Sequence, residues 1–299
     1  MIEIKNVTKK FGDFAAIENL SLNVGNTSVY GLVGYNGSGK TTLLKTVAGI
    51  YKADGGEILI DGVNVFDSAE AKKKLFFVPD DIYFEPFSTI EKMANFYCGY
   101  YPDFSFELMD KLCNVFGLDK ESKLNSFSKG MQRQAELILA LSTNPQILLL
   151  DESFDGLDPA KRSLMNKMLI EYSAERECSI IISSHNLHEL TEICDHVALI
   201  NGKKIVLDCC VDEISASKCK FKLAFADEKT EEDFSCIKHT KFKRDGRIIT
   251  LTAQGDAAEI EEKLRALNPL FIESYPLTLE EIFLDEMEGT DYDFSEIFG

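Results

Sequence analysis

The feature that most limits the fold of this chain is a glycine-rich run between an apolar segment and a helix-forming one. The run reads Gly34-Tyr35-Asn36-Gly37-Ser38-Gly39-Lys40-Thr41-Thr42 and fits the pattern G-x-x-x-x-G-K-[ST]. Val29–Val33 before it has the composition of a buried strand, and Lys40–Ala48 that of a helix. Glycines let the backbone curl so that N–H groups point at phosphate oxygens, and the helix N-terminus adds the positive end of its dipole. The run therefore predicts an α/β core that binds a nucleoside triphosphate.

Individual positions of this loop have separate expected roles. Lys40 brings a positive charge to the β- and γ-phosphates, and the hydroxyl of Thr41 is a ligand for Mg²⁺. The remaining positions that surround the phosphates are Asn36, Gly37, Ser38, Gly39 and Thr42. A glycine-rich turn could match the pattern by chance, but the flanking strand and helix favour the phosphate-binding interpretation.

A second segment ends a predicted strand in two carboxylates. Ile147–Leu150 is continuously apolar, as in a parallel strand that is covered on both faces, and Asp151 and Glu152 follow it. Asp151 is expected to contact Mg²⁺ through water, and Glu152 to orient or deprotonate an attacking water. Such a strand is common by itself, and it is the phosphate loop earlier in the chain that favours a functional interpretation.

The order of predicted elements gives the fold class. Ile2–Val24 alternates apolar and polar residues around Gly12, which predicts antiparallel strands. Residues 87–142 have helical periods, and Ser179–Ser183 is a second continuous apolar run. We expect an α/β fold, a P-loop NTPase core with an antiparallel β subdomain and a helical subdomain.

The chain changes character after Cys210. Short strand-like runs at Phe221–Phe225 and Ile248–Thr252 alternate with a helical stretch at Ala257–Leu267. The last twenty residues hold eight acids and no Lys or Arg, which is typical of a solvated tail. Residues 211–299 are therefore expected to form a small C-terminal α+β accessory domain with an acidic tail.

Charge and hydropathy exclude some classes of partner. The net charge of −18 argues against general nucleic-acid binding and against adsorption to an anionic lipid surface. Met1–Lys5 lacks the basic and apolar segments of a secretory signal, and no apolar run reaches the ~18–20 residues of a membrane helix. The eight cysteines form no C-x-x-C pair and no zinc pattern, as expected for reduced thiols in a cytoplasm. We expect a cytoplasmic protein without direct membrane insertion.

A third segment makes the pattern specific. Phe127-Ser128-Lys129-Gly130-Met131 precedes an apolar helix, and Ser128 lies 23 residues before Asp151. Alone it is only a serine-capped helix start. Together the three segments resemble the nucleotide-binding subunit of an ATP-binding cassette (ABC) transporter, over about residues 1–208. The third is similar to the family's signature motif, usually Leu-Ser-Gly-Gly-Gln; Ser128 and Gly130 are retained, while Lys129 and Met131 follow a form familiar in bacterial exporter subunits.

This resemblance implies an assembly and a reaction. In the family, the signature of one subunit closes over the γ-phosphate held by another, so Ser128 and Gly130 would complete the partner's site. It implies an ATPase that uses Mg²⁺ and works as a homodimer or as a heterodimer with another ATP-binding subunit. It also implies a separate integral membrane permease, which would hold the subunit at the inner face of the cell membrane. The ATP-binding domain would then be residues 1–210, with the helical subdomain at about 87–142.

Other residues of the chain match single positions of the family's nucleotide site. Phe11 lies where an aromatic ring stacks on adenine; the alternative is a core residue of the hairpin. Asp158, in Gly156-Leu157-Asp158, resembles the family's D-loop, which communicates across the dimer. His185 follows the strand after the Asp-Glu strand and resembles the switch histidine near the γ-phosphate. The segment Leu277–Leu284 resembles a closing helix of exporter subunits and favours export over import.

One position departs from the family. Asp80 lies where the family's Q-loop has a Gln that touches Mg²⁺ and links the site to the helical subdomain. A carboxylate can bind Mg²⁺ directly or through water, so Asp80 is a candidate metal ligand. The alternatives are an alignment off by one residue and a turn acid without a metal role.

Aromatic residues are frequent just after this position. Nine lie between residues 83 and 106, and most are expected to form the core of the helical subdomain. Tyr83, Phe84 and Phe87 are candidates for a groove that receives a short helix of the permease.

Two rival functions stay open, a soluble ABC ATPase acting on ribosomes or DNA and a non-enzymatic ATP-dependent clamp. The single cassette disfavours the first, and Glu152 with His185 disfavours the second.

Overall fold

The computed structural model describes residues 1–211, 218–277 and 281. It divides the chain into two compact units, residues 1–208 and residues 209–299. The predicted closing helix and the acidic tail lie outside the described residues, apart from Leu277 and Glu281. No helix in the described part of the chain has the length and apolar character needed to cross a membrane.

A six-stranded sheet forms the centre of the first unit, in the order β10-β9-β3-β8-β7-β6. Its strands are β3 (Val29–Val33), β6 (Leu75–Val78), β7 (Ile147–Asp151), β8 (Ser179–Ser184), β9 (His196–Asn201) and β10 (Lys204–Cys210). The strands from β9 to β6 pair in parallel. The carboxyl ends of parallel strands meet at one edge of a sheet, so the segments that follow β3, β7 and β8 are brought together there.

A second, antiparallel sheet has the order β2-β1-β4-β5. Its strands are β1 (Ile2–Phe11), β2 (Phe14–Val24), β4 (Gly55–Ile60) and β5 (Val63–Asn64). The first two are joined at Gly12, whose φ of 61° suits glycine. This confirms the hairpin that the alternation around Gly12 predicts.

Both sheets share one apolar cluster with the helix that follows the phosphate loop. It includes Ile4 and Leu20 from the antiparallel sheet, Leu32 and Leu149 from the central sheet, and Leu43 from the helix. Burying a side chain of this size contributes roughly 1.5–3 kcal/mol. This cluster fixes the position of the loop relative to both sheets.

Seven helices of this unit connect or cover the strands. They are α1 (Lys40–Val47), α2 (Ala69–Lys73), α3 (Ile90–Cys98), α4 (Phe106–Phe116), α5 (Lys129–Ser142), α6 (Pro159–Arg176) and α7 (Leu187–Thr191). A 3₁₀ turn, Leu124–Ser126, precedes α5. The helices α3, α4 and α5 lie between β6 and β7 in the chain, where the sequence predicts a helical insertion. The residues of α5 from Arg133 onward are all buried.

The second unit has a four-stranded antiparallel sheet in the order β12-β13-β11-β14. The strands are β11 (Lys218–Ala224), β12 (His239–Asp245), β13 (Ile248–Gln254) and β14 (Phe271–Pro276). Helix α8 (Ala257–Arg265) precedes β14, and a 3₁₀ turn, Glu231–Phe234, follows β11. Its own core contains Phe221, Leu251 and Phe234, and Leu264 from α8. The strand order is that of a split βαβ fold in which the 3₁₀ turn takes the place of the first helix.

Candidate functional site

The phosphate loop between β3 and α1 requires glycine at two positions. A Cβ on Gly34 would lie 2.7 Å from the carbonyl oxygen of Ile200. A Cβ on Gly39 would lie 2.6 Å from Ile17 Cγ2 and 2.8 Å from the carbonyl oxygen of Ala16, and Gly39 has a φ of 111°. No other residue fits without moving the backbone. The loop is therefore shaped by close approach to β2 and to the end of β9.

Lys40, the first residue of α1, is held inside this loop. Its side chain is 5% exposed, and its Nζ donates hydrogen bonds to the carbonyl oxygens of Gly34 at 2.7 Å and Tyr35 at 3.3 Å. The same Nζ lies 3.1 Å from Oε1 of Glu152, at the end of β7. The structure thus brings the predicted phosphate-binding cation and the predicted base into one buried ion pair.

Asp151, the last residue of β7, is fully buried. Its Oδ1 accepts hydrogen bonds from Thr41 Oγ1 at 3.1 Å and from Ser183 Oγ at 2.6 Å. Its Oδ2 is buried and has no hydrogen-bond partner among the described residues. A buried carboxylate oxygen without a partner is costly, and a hard cation held by oxygen ligands would satisfy it. Thr41 and Asp151 therefore fit Mg²⁺.

Glu152 connects this region to His185. The Glu152 backbone has a φ of 46°, in the left-handed region that non-glycine residues rarely adopt. Its backbone N–H donates to Ser183 Oγ at 3.0 Å, and its Oε2 lies 2.9 Å from Nδ1 of His185. The hydrogen bond with Glu152 raises the pKa of His185 above its ordinary value, against the opposite effect of burial. The imidazole therefore holds its proton more tightly than a solvated histidine does.

Asp80 lies just after β6, and α5 contacts it. The Arg133 guanidinium donates to the carbonyl oxygens of Pro79 and Asp80, both at 2.7 Å, and approaches Oδ1 of Asp80 at 3.4 Å. The Asp80 side chain is 54% exposed, whereas that of Arg133 is buried. Burial raises the pKa of the Asp80 carboxyl. The Arg133 charge opposes this rise, and the charges of Asp151, Asp81 and Glu152 add to it. Arg133 is not among the residues that the sequence motifs indicate, although a cation at the start of a largely apolar helical run is a signal.

The signature residues form a second cluster. Ser128 is the N-cap of α5, and its Oγ accepts a hydrogen bond from the N–H of Met131 at 3.3 Å. A Cβ on Gly130 would lie 3.4 Å from the carbonyl oxygen of Gly156. Asp158 caps α6, with its Oδ1 accepting from the N–H of Lys161 at 3.0 Å.

Ser128, Gly130 and Asp158 line one shallow groove. Among the described residues that line this groove, none belongs to the phosphate loop. One chain therefore carries two separate clusters. The first holds Lys40, Thr41, Asp151, Glu152 and His185, and the second holds the signature residues together with Asp158.

The exposure of four aromatic side chains tests the roles that the sequence predicts for them. Phe11, at the end of β1, is 45% exposed and contacts the Tyr51 ring edge-on at 5.3 Å between centroids, so it is not a core residue of the hairpin. Phe84 is only 6% exposed, so its assignment to a surface groove is wrong, because burial leaves little of its ring for a partner to contact. Tyr83 and Phe87 are 74% and 67% exposed.

The comparisons with known proteins agree with this geometry. The sequence profile of the family described as ABC transporter matches residues 17–155. The ATP-binding protein YtrB of Bacillus subtilis is 28% identical over 97% of this chain and 99% of its own length. The Nod factor export ATP-binding protein I of Burkholderia lata is 35% identical over 68% of this chain and 69% of its own length.

A solved structure shares the fold. The dimeric ATP-binding cassette MJ0796, bound to ADP and phosphate, aligns with 71% of this chain and 99% of its own, with a TM-score of 0.63 and 23% identity. This fold contains the phosphate loop, the acids at the end of β7 and the serine-capped α5. This chain belongs to the ABC transporter family, as one of its ATP-binding subunits.

Proposed function

We propose that this chain binds ATP with Mg²⁺ and hydrolyses it between two ATP-binding subunits. The observation that carries the proposal is the chain of contacts from buried Lys40 and Glu152 to the half-exposed His185, beside the Oδ2 of Asp151 that has no partner among the described residues. A cation, a carboxylate base and a polarised imidazole at the mouth of a phosphate loop are the groups that phosphoryl transfer to water needs.

The nucleotide would be held by groups of the first cluster. The backbone N–H groups of the loop and the start of α1 receive the phosphates, with Asn36, Gly37, Ser38, Gly39 and Thr42 around them. Phe11 offers an exposed ring to the adenine. Mg²⁺, held by Thr41 and Asp151 with Asp80 as a third candidate, would offset phosphate charge.

Hydrolysis would begin when Lys40 changes partner. In the structure its ammonium neutralises Glu152, so the arrival of phosphate oxygens lets Lys40 pair with them and leaves the Glu152 carboxylate for a water molecule. The water oxygen attacks the γ-phosphorus, the bond from phosphorus to the bridging oxygen breaks, and Glu152 accepts the water proton. His185 donates a hydrogen bond that holds the water or the γ-phosphate in line.

The second cluster would act on the ATP of another subunit. Ser128 is exposed, and it caps a helix whose N–H groups and dipole suit an anion. Gly130 offers a backbone N–H without a side chain, and Asp158 lies in the same groove. Two chains in opposite orientation would each complete the other's site, as a homodimer or a heterodimer. The dimeric form of MJ0796 supports this arrangement.

The energy of this cycle would drive a separate integral membrane permease. We assign the ATP-binding domain to residues 1–210, with its helical subdomain at about 87–142, and an accessory role to residues 211–299. Exposed Tyr83 and Phe87 beside the Asp80 segment are candidates for the permease contact. Similarity to a Nod factor export subunit and the form of the signature favour export. The chain would then be cytoplasmic and peripheral at the inner face of the membrane.

A Glu152→Gln variant tests the proposal. Loss of a general base lowers turnover by roughly 10²–10⁴-fold. ATP binding should persist, because Lys40 and the loop are intact. The measurements are phosphate release by the purified chain and its mass in solution with ATP, with the exposed Glu175→Gln on α6 as the control. Turnover close to that of the unaltered chain would show that Glu152 is not the base, and an unaltered chain that dimerises without turnover would favour an ATP-dependent clamp.

A further inference from the structure

The loop that carries His185 is held from both sides by one buried carboxylate. Glu189, in α7, is 6% exposed. Its Oε2 accepts a hydrogen bond from Ser184 Oγ at 3.3 Å, and its Oε1 accepts one from Asn186 Nδ2 at 3.1 Å. Ser184 and Asn186 are the chain neighbours of His185, so a single side chain restrains both flanks of the histidine.

The backbone at His185 matters because it determines where the imidazole lies. The chain bends at this residue, and the backbone N–H of Asn186 donates to Ser184 Oγ across the bend at 2.9 Å. In the bend, the backbone N–H of His185 donates to Glu152 Oε2 at 3.3 Å, and its Nδ1 lies 2.9 Å from the same oxygen. The His185 side chain is 48% exposed, so packing restrains it only in part. A change in the bend would therefore move the ring relative to Glu152.

A cation on another helix holds Glu189 in turn. Nη1 of Arg162 lies 2.8 Å from Oε1 of Glu189, and the two side chains are 29% and 7% exposed. The Glu189 carboxylate therefore receives three donors, one from Arg162 and two from the residues that flank His185. Arg162 lies one turn after Asp158, the cap of α6, and its backbone N–H donates to the Asp158 carbonyl oxygen at 3.0 Å. The ion pair thus connects the helix that starts in the second cluster to the bend that carries His185.

The carboxylate at position 189 has a cost that packing does not explain. Both charges of a buried ion pair lose their water, and such a pair is often no more stabilising than apolar side chains of similar volume. The other buried residues of α7, Leu187 and Leu190, are apolar. An apolar residue at position 189 would supply packing but no acceptor for Ser184 or Asn186. The acceptor oxygens are therefore what a carboxylate adds at this position.

We propose that Glu189, held by Arg162, is a positioning residue that keeps the imidazole of His185 in contact with Glu152. Glu189 fixes the backbone from which the ring projects, and Arg162 compensates the buried charge of Glu189 and sets the orientation of its carboxylate. The consequence for hydrolysis rests on the proposed function, whereas the consequence for the geometry of His185 does not. Catalytic geometry tolerates little error, since a displacement of about 1 Å can cost 10²-fold in rate.

The first test observes His185 directly in the nucleotide-free chain. In a chain with ¹⁵N-labelled histidine, the ring nitrogen shifts report the hydrogen bond with Glu152, and a His185→Asn variant identifies the signals of His185. Glu189→Leu keeps an apolar volume and removes both acceptors, so it should move these shifts toward those of a solvated histidine. Glu175→Gln, at an exposed position of α6, should leave them unchanged. The ring of His196, which stacks on Tyr30 at 5.9 Å between centroids, reports whether the first unit is folded.

Arg162 provides a second, independent variant. Arg162→Gln should move the His185 signals in the same direction as Glu189→Leu, and Arg162→Lys should move them less, because the ammonium keeps the charge but not the fork of the guanidinium. Arg176→Gln alters an exposed cation of the same helix and is the matched control. These variants decide the question if Glu189→Leu disturbs the His196 signals.

The second test measures ATP hydrolysis. Glu189→Leu should lower kcat by about 10–100-fold and leave KM for ATP within about twofold, because Lys40 and the phosphate loop are unaltered. In a chain that already carries His185→Asn, the same change should lower kcat by less than about twofold, since the residue that it positions is absent. A purely structural role would lower kcat by the same factor in both backgrounds.

The outcomes separate this proposal from the proposed function. His185 ring shifts that stay unchanged in Glu189→Leu and in Arg162→Gln, with native His196 signals, would overturn it. Equal losses of kcat with and without His185 would also overturn it. An unaltered chain that releases no phosphate would contradict the proposed function alone, because the ring shifts decide the positioning of His185 without nucleotide.

Discussion

Glu152 contacts two basic groups at once, Lys40 through Oε1 and His185 through Oε2. Neither contact is evident from the sequence spacing, because the three residues follow three different strands, β3, β7 and β8. The arrangement means that the charge state of each residue depends on the other two. A ligand that draws Lys40 away changes the surroundings of both Glu152 and His185.

Replacing Glu152 by Gln should lower the pKa of His185 toward its ordinary value of about 6.5, because the hydrogen bond with the carboxylate is the largest cause of the rise. The measurement is an NMR titration of the imidazole in the nucleotide-free chain. Glu175→Gln is the matched control and should leave the titration unchanged. A His185 titration that is identical in both variants would contradict this assignment of the pair.

The same pair has a defined pH dependence. His185 has a raised pKa in the folded chain, so protonation favours the folded state. Its contribution to stability is fully present below the pKa of His185 in the unfolded chain, about 6.5. It disappears as pH rises through the pKa of His185 in the folded chain. The difference in unfolding free energy between the unaltered chain and a His185→Asn variant should therefore shrink with rising pH over that window. His185 is half exposed, so the effect is small.

At the scale of elements, α5 connects two parts of the site. It begins at Ser128 in the signature cluster, and one and a half turns later Arg133 holds the segment after β6. The guanidinium donates to two carbonyl oxygens and to the Asp80 carboxylate. A displacement of the Asp80 segment therefore acts directly on the helix that presents Ser128.

Replacing Arg133 by Gln should reduce the free energy of unfolding by about 1–3 kcal/mol, because the carbonyl groups of Pro79 and Asp80 lose their donors. Arg133→Lys should recover only part of the lost free energy of unfolding, since an ammonium cannot reproduce the fork of the guanidinium. Urea unfolding measures the free energy of unfolding of both Arg133 variants. Lys129→Gln alters an exposed cation on the same helix and serves as the control. A loss in Arg133→Gln no larger than in the control would show that the contact does not stabilise the segment.

At the scale of the whole molecule, each unit has its own core. The core of the first unit is built around the two sheets of that unit and α1. The core of the second unit is built around β11, β13 and α8. The chain therefore contains two bodies whose local stability can be changed separately. This matters for function, because the groups of the candidate site all belong to the first unit.

Replacing Phe221 by Ala should destabilise the second unit by about 3–5 kcal/mol, because the ring is fully buried in its core. Hydrogen exchange should speed up at Leu251 in the second unit and stay unchanged at Leu149 in the first. Leu270→Ala, at a position that is 70% exposed, is the control. Equal acceleration at both sites would contradict the independence of the two cores.

Three features could be predicted from the sequence, namely the phosphate loop, the strand that leads into Asp151 and Glu152, and the hairpin at Gly12. Each of these is encoded locally, because glycine placement and apolar periodicity specify both the element and its ends. The continuous apolar runs also predicted parallel strands that are covered on both faces, and the structure pairs β3, β8 and β7 in parallel. His185 and Ser128 were identified through their places relative to these elements and through family resemblance.

Contacts between distant side chains could not be predicted without the fold. Arg133 and Asp80 are 53 residues apart in sequence, and no local pattern links a helical cation to a distant carbonyl. Phe84 and Tyr83 are neighbours in the chain, yet one is 6% and the other 74% exposed, a difference that no local periodicity predicts. The register of three strands likewise brings lysines of β11 and β12 to one face of the sheet in the second unit. Contacts of this kind depend on the pairing of distant segments, which the periodicity of any one segment does not encode.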